Sequence, residues 1–273
     1  MNVLHFYKTY FPDTIGGVEQ VIHQLATSTA RFGVSNKVLS LTQEKSIDNP
    51  TLIDDHQVYR CRSQVEIAST PFSLNAFSEF KRLASEADII HYHFPYPFAD
   101  LLHFACRIQK PTVVSYHSDI IKQKTLLKMY NPLQQRFLSS VGSIVAASPN
   151  YLESSEVLEN FKDKTQVIPY GLNPDSYPKP SAEKLTQWRN TLGDKFFLFI
   201  GVARYYKGLH TLIDAAKSSD YPIAILGAGP LEAALKKQAE SLGITNIHFL
   251  GFLADEDKVA LLTLCHAFVF PSH

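Results

Sequence analysis

Short apolar runs recur along the chain, each separated from the next by a segment whose apolar residues repeat at helical spacing, and this alternation restricts the fold more than any other feature. Runs at 3–7, 38–41, 58–60, 88–91, 112–116, 143–147 and 165–168 read as strands, with helices predicted at 18–32, 77–83 and 98–107. After a proline-rich stretch at 171–180 the alternation starts afresh, with strands at 196–200, 223–226, 248–250 and 268–270 and helices at 208–217, 231–242 and 255–264. Strands that alternate with helices pair in parallel, because each crossover carries the chain back to the same end of the sheet. The expectation is an α/β protein of two doubly wound, Rossmann-like domains, 1–175 and 176–273, joined through Pro174, Pro178 and Pro180 and facing a cleft. A sheet of this kind would continue into another helix after 268–270, so the second domain reads as incomplete and the 273 residues as a truncated form.

Composition sets limits on the partners. With 45% hydrophobic and 19% charged residues the chain is that of a globular protein with a substantial core. Twenty-six basic residues balance 26 acidic ones, so no global charge speaks for nucleic acid. Cys61, Cys106 and Cys265 show no Cys-x-x-Cys spacing, which suits packed thiols in a reducing compartment. The apolar start of the chain is too short for a signal-peptide core, and no run approaches the roughly 20 residues that span a bilayer. A cytoplasmic protein, at most resting on a membrane, is expected.

Two glycine loops mark mouths where strands give way to helices. Gly201-Val202-Ala203-Arg204-Tyr205-Tyr206-Lys207-Gly208 follows a strand and precedes a helix, a place where free backbone N–H groups and the positive end of the helix dipole favour an anion. Arg204 and Lys207 would add two cations there, or they are solvated charges on an ordinary turn. Gly16 and Gly17 stand at the corresponding place after the first strand, where a missing Cβ permits close backbone approach or simply a tight turn into the helix. Gly227-Ala228-Gly229 also follows a strand, but Glu232 occupies the third position of Gly-x-Gly-x-x-Gly, which disfavours a nicotinamide oxidoreductase.

The runs Phe11-Pro12 through Gly16-Gly17, Tyr116-His117-Ser118-Asp119, Ala147-Ser148-Pro149, Val167-Ile168-Pro169-Tyr170-Gly171, Arg204 to Gly208, Gly227-Ala228-Gly229-Pro230-Leu231 and Phe270-Pro271-Ser272 resemble, in order and spacing, the retaining GT-B glycosyltransferases of family 4. His5-Phe6-Tyr7-Lys8-Thr9-Tyr10, Tyr92-His93-Phe94-Pro95 and Ser115 to Ile120 further resemble bacterial mannosyltransferases that build lipid-linked O-antigen polysaccharide from GDP-mannose. The resemblance implies an acceptor-binding N-terminal domain, a nucleotide-sugar-binding C-terminal domain and no obligatory metal or other cofactor. It also implies residue roles. Lys207 and Arg204 would meet the diphosphate, although many members carry that arginine directly after the strand glycine, where Val202 stands here. Gly16 and Gly17 would approach it from the other domain, Gly227, Gly229 and Pro230 would line the nucleotide site, and backbone near Gly251 and Phe252 would read the base. His117 would lie beside the transferred sugar, and Asp119 would orient His117 or an acceptor hydroxyl, or cap the following helix. The family's acidic motif, a glutamate for the donor sugar and a second eight residues on, is expected after Ser272, so a partner without turnover, binding nucleotide sugar or acceptor, is the rival to an active enzyme.

Two further features carry weaker readings. His91 and His93 share one face of an extended segment and His103 lies on the next helix, yet the spacing matches no named zinc pattern, so no metal is expected. Lys122, Lys124, Lys128 and Arg136 alternate with Leu126, Leu127, Met129, Tyr130 and Leu133, a pattern that suits anionic lipid or an apolar face buried in the domain, with Pro132 expected to divide the segment. Lys122 and Lys124 are placed on the acceptor side. The implied acceptor is a saccharide on undecaprenyl diphosphate, met by peripheral contact at the inner face of the plasma membrane.

Overall fold

The computed structural model describes residues 1–120, 124–173 and 176–272. Two compact units emerge, Met1–Leu172 and Asn173–His273.

In the first unit the chain runs β1 (Asn2–Phe6), α1 (Gly17–Ala30), β2 (Ser35–Thr42), β3 (Thr51–Ile53), β4 (His56–Arg62), β5 (Val65–Ile67), β6 (Thr70–Phe72), α2 (Asn75–Glu86), β7 (Ile89–Phe94), α3 (Pro97–Ala105), β8 (Thr112–Tyr116), α4 (Lys124–Ser140), β9 (Ser143–Ala146), α5 (Pro149–Ser154), α6 (Glu156–Glu159) and β10 (Thr165–Val167). One sheet has the order β10-β9-β8-β7-β1-β2-β4-β3, parallel except for β3 against β4, and β5 and β6 form a separate hairpin. From β1 the chain first winds outward through β2 and β4, then returns to β7 on the other side of β1 and winds the opposite way. That reversal at β1 and β7 is a topological switch point, where the loops at the carboxyl ends part and leave a crevice. Phe6, Phe80, Tyr92, Phe94, Tyr96, Tyr116 and Phe137 form the aromatic centre of its core.

The second unit comprises α7 (Ala182–Leu192), β11 (Phe197–Ile200), α8 (Leu209–Ala216), β12 (Ile223–Leu226), α9 (Glu232–Ser241), β13 (Ile247–Gly251), α10 (Asp255–Leu264) and β14 (Ala267–Phe268). Its sheet, β13-β12-β11-β14, is parallel throughout, with the switch at β11 and β14. Separate clusters cover its two faces, one around Phe199, Ile213 and Ile225 and the other around Trp188, Phe196, Leu198 and Leu261. Asp257 accepts from Trp188 Nε1 at 2.9 Å and pairs with Lys184 at 2.7 Å, which fastens α10 to α7.

The expected α/β alternation holds, and the departures have local causes. Ser148 caps α5 by accepting from the Tyr151 N–H, with Pro149 at the first helical position, as the sequence suggests. Pro132 does not divide its segment: α4 is assigned as one helix with the proline inside it. Phe137 and Leu138 are fully buried, and the Tyr130 hydroxyl donates to buried Asp100 on α3, so packing on both sides of the proline outweighs its local cost of about 3 kcal/mol. The short strands β3, β5 and β6 escape sequence reading because three residues carry no periodicity.

Burial in the first unit extends to histidines. Burial lowers His5, His56 and His103 to about 4, and holds His91 and His93 well below the ordinary value. An unfolded chain takes up these protons near pH 6.5 and the folded one does not, so the stability of the neutral form is complete above about pH 6.5 and is lost as pH falls toward 4. For His5 the difference between 6.5 and about 4 corresponds to about 3 kcal/mol. Hydrogen exchange of the β1 and β7 amides should therefore lose protection steeply between pH 6.5 and 4.5, and flat protection over that range contradicts neutral burial.

Candidate active site

Period-2 alternation places His5 on β1, His91 and His93 on β7, and Ser115 and then His117 on and after β8 along one face of three adjacent parallel strands. Register aligns His5 with His91 and His93 with Ser115. The His91 and His93 rings stack at 4.5 Å, the His93 and His117 rings at 5.3 Å. His5 Nδ1 lies 3.1 Å from His93 Nε2, His93 Nδ1 lies 3.0 Å from His117 Nε2, and His117 Nδ1 lies 2.5 Å from the Tyr170 hydroxyl. At the far end His5 Nε2 is 3.1 Å from Asn36 Oδ1. His117 is half-buried, and burial lowers it to about 4, so a neutral imidazole stands at the carboxyl end of β8.

His103 does not join His91 and His93. It meets the Tyr92 hydroxyl on the opposite face of β7, at 3.1 Å, because residue 92 points away from residues 91 and 93 on either side of it. His5 takes its place, and the donor atoms of His5, His91 and His93 lie within 4.8 Å of one another. Both ring nitrogens of His5 and of His93 are engaged in the hydrogen bonds just described, so that trio is a hydrogen-bonded stack rather than a set of lone pairs aimed at one ion.

Of the roles open to Asp119, the structure does not bear out the orienting of His117. Its carboxylate accepts from Tyr116 at 2.8 Å, Ser155 at 2.9 Å and Tyr151 at 3.0 Å, so it ties the loop after β8 to the α5–α6 corner instead of orienting His117. Three hydroxyl donors outcompete one imidazole whose nitrogens are already paired. Gly16 caps α1, but the carboxylate of Glu19 folds over that helix start, where a Cβ on Gly16 would lie 2.4 Å from Glu19 Oε2, and Thr9 donates to Glu19 at 2.6 Å. A buried carboxylate at this N-terminus partly satisfies the dipole that was expected to attract a diphosphate. Gly17 opens α1 and faces open space. Of the basic residues placed on the acceptor side, Lys122 lies outside the described residues and Lys124 is the first residue of α4.

In the second unit the predicted residues converge at the carboxyl end of the sheet. Exposed Arg204 precedes a short 3-10 turn, Tyr205–Lys207, and Gly208 in the left-handed conformation, φ 64°, caps α8. Half-buried Lys207 places its ammonium 4.8 Å from the Phe270 ring and 5.4 Å from the Tyr206 ring. Among the described residues no carboxylate pairs with it, so its charge is available to an anion. Backbone bonds knit the surrounding loops: Gly201 N–H donates to Leu226 at 2.9 Å, Ala203 N–H to Ala228 at 3.1 Å, and Gly227 N–H to Gly251 at 2.7 Å. Any side chain on Gly229 would collide with the Ala203 backbone at 2.6 Å. Pro230 leads into α9, and Phe252, 74% exposed, follows Gly251.

Comparison with known proteins resolves the class. Residues 15–176 match the model of Glycosyltransferase Family 4, and residues 181–273 match that of Glycosyl transferases group 1. The chain belongs to glycosyltransferase family 4. This glycosyltransferase is 56% identical over 275 residues to the D-rhamnosyltransferase WbpZ of Pseudomonas aeruginosa, covering 100% of its own length and 71% of that protein. It is 52% identical over 273 residues to O-antigen chain mannosyltransferase C of Escherichia coli, again over its whole length and 73% of that protein. Its fold is that of the GT-B glycosyltransferases, as in the sucrose-phosphate synthase of Thermosynechococcus elongatus, with TM-score 0.75, 16% identity and coverage of 99% of this chain and 75% of the other. Anabaena HepE, solved with UDP and glucose, matches with TM-score 0.73, 20% identity and coverage of 100% and 74%.

Sequence reading missed Glu19, Asn36 and Tyr170 as members of these sites, and His5 as part of the stack. Only the register of β1 against β7 brings His5 to His93, and no local pattern announces that pairing.

Gly208 offers a direct test of how the glycosyltransferase builds its cationic loop. A Cβ at Gly208 would lie 2.0 Å from the Pro271 carbonyl oxygen, and its φ of 64° disfavours any other residue. Gly208→Ala should destabilise the second unit by about 2 kcal/mol or more in denaturant melts. Unchanged stability would show that the Pro271 turn does not depend on this contact.

Proposed function

We propose that this glycosyltransferase moves mannose, with retention, from GDP-mannose to a saccharide carried on undecaprenyl diphosphate. One observation carries the donor half of this reading: the Lys207 ammonium at the carboxyl end of β11, beside the start of α8 and without a carboxylate partner among the described residues. As the bond between sugar and phosphate breaks, negative charge grows on the diphosphate. A fixed ammonium and helix N–H groups meet that charge without any metal ion or other cofactor. Exposed Arg204 adds a second cation within reach of the same loop, and the exposed Phe252 ring beside Gly251 offers a face to a nucleotide base.

The relatives support the choice of sugar. D-Rhamnose is D-mannose without its 6-hydroxyl, so a rhamnosyltransferase and a mannosyltransferase at more than half identity share the manno configuration in their names. His117, neutral and at a strand end, suits a hydrogen bond with a hydroxyl of the transferred sugar.

The acceptor half rests on an apolar cavity in the first unit, of about 390 Å³, lined by Ile67, Phe72, Ile120, Leu126, Met129 and Tyr130, with Lys8 among its walls. Of its lining residues, Ile67 on the β5–β6 hairpin and Leu126 and Met129 on α4 are exposed. An isoprenoid chain with a diphosphate head has this mixed character, and the same patch suits peripheral contact with a membrane's cytoplasmic face. No helix among the described residues is long and apolar enough to cross a membrane.

Release of GDP from GDP-mannose by the purified protein, with UDP-sugars as controls and a lipid-linked saccharide extract as acceptor, tests the assignment. Acceptor-dependent GDP release is expected, and Lys207→Ala should lower kcat by about 10²- to 10³-fold. Turnover of a UDP-sugar in preference to GDP-mannose would overturn the donor.

A further inference from the structure

Four hydrogen bonds join Asn36, His5, His93, His117 and Tyr170 into one chain, and its direction is set from one end. The Asn36 amide nitrogen lies 2.9 Å from the Ala26 carbonyl oxygen and 2.9 Å from Thr29 Oγ1. A backbone carbonyl only accepts, so the NH₂ group must face it and Oδ1 must face His5. Oδ1 only accepts as well. His5 therefore carries its proton on Nε2, and in a neutral ring Nδ1 is then a lone pair.

The same step repeats outward. His93 donates from Nε2 to His5 Nδ1 and is left with a lone pair on Nδ1. His117 donates from Nε2 to His93 Nδ1, and its own Nδ1 is left to accept from the Tyr170 hydroxyl. Neutrality holds along the stack because burial lowers all three rings well below the physiological range, the bond to Asn36 only partly opposing this at His5. Each ring stands within reach of other imidazoles, with His91 stacked on His93 and bonded to Ser115 at 2.8 Å, so a proton added to any of them meets like charge nearby if a second ring is charged.

We propose that Asn36, His5 and His93 are positioning residues that fix His117 in its Nε2–H tautomer and present its Nδ1 only as a hydrogen-bond acceptor. The ligand group that replaces Tyr170 at Nδ1 must then be a donor, a hydroxyl rather than a phosphate oxygen. Tyr170 is 46% exposed and lies two residues before the end of the first unit, so its hydroxyl is the replaceable member of the chain. This inference rests on the reading of His117 as the group beside the transferred sugar, but the tautomer itself does not depend on which sugar or nucleotide is bound.

The test uses the whole chain labelled with ¹⁵N-histidine. At pH 7.5 the His117 resonances, assigned by their loss in His117→Asn, should show a pyridine-type Nδ1 and a pyrrole-type Nε2. In His93→Leu, which removes the acceptor, the two nitrogens of His117 should move toward the averaged shifts of exchanging tautomers. In the same variant kcat should fall about tenfold, the loss of one hydrogen bond, with KM for the donor changed less than twofold. His93→Asn places an amide oxygen near the former Nδ1 and should restore both the wild-type His117 spectrum and most of kcat.

A protonated Nδ1 on His117 in the wild-type spectrum overturns the proposal. So does a His93→Leu variant with unaltered spectrum and kcat, or a His93→Asn variant as impaired as His93→Leu, which would make residue 93 a packing residue only. If the wild-type chain releases no GDP from GDP-mannose, the donor assignment fails, and the spectra alone still decide the tautomer.

Discussion

A parallel sheet delivers all its carboxyl ends to one edge, and where the winding reverses, the two loops that leave that edge must part. Both units of this glycosyltransferase bring their candidate site residues there. In the first, the reversal falls between β1 and β7, and the residues at or just beyond the neighbouring strand ends are His93, His117 and the loop into Gly16. In the second it falls between β11 and β14, whose following segments carry Lys207 and Phe270. The connectivity of the strands, more than any single motif, decides which side chains meet.

The two edges meet the cost of exposing polar chemistry in different ways. The second is built from backbone: glycine turns packed against one another, with Gly229 allowing the Ala203 backbone to approach and Gly208 accepting the Pro271 turn, so the loops are fixed without side chains between them. Among the described residues the Lys207 ammonium in this loop lies over the Phe270 and Tyr206 rings with no carboxylate paired to it. The first is built from side chains that satisfy one another inside the sheet face. Five polar residues in a row would each carry a desolvation penalty of a few kcal/mol if unpaired, and pairing end to end removes it. Asp119 obeys the same rule, since three hydroxyls stabilise its carboxylate and withdraw it from His117.

The layers of this fold are legible in the sequence because strand and helix periods differ and proline-rich residues separate the two series. The Lys207 loop is legible too, since glycine at a turn and a cation at a helix start are local signals. What escapes is whatever depends on register. Nothing near Asn36 marks it as the anchor of a histidine chain, and the run that begins at His5, though it carries a family resemblance, does not announce which residue on a neighbouring strand His5 meets. Glu19 is hidden for another reason: an acidic residue in the first helical turn is ordinary, and only the fold of its side chain over Gly16 turns it into a competitor for the site. His103, close in sequence to His91 and His93, stands apart from them because the pleat sends Tyr92, and with it His103, to the opposite face.

The chain of histidines ends at an amide, and that ending constrains the chemistry. A relay that moves protons needs an outlet, but Asn36 Oδ1 binds no proton at neutral pH and its nitrogen is held by Ala26 and Thr29. A proton accepted at His117 would have to stay as an imidazolium within a stack whose burial already lowers every member. A hydrogen bond accepted at Nδ1 incurs no such cost. The stack is therefore suited to holding a hydroxyl in a fixed direction and unsuited to removing its proton.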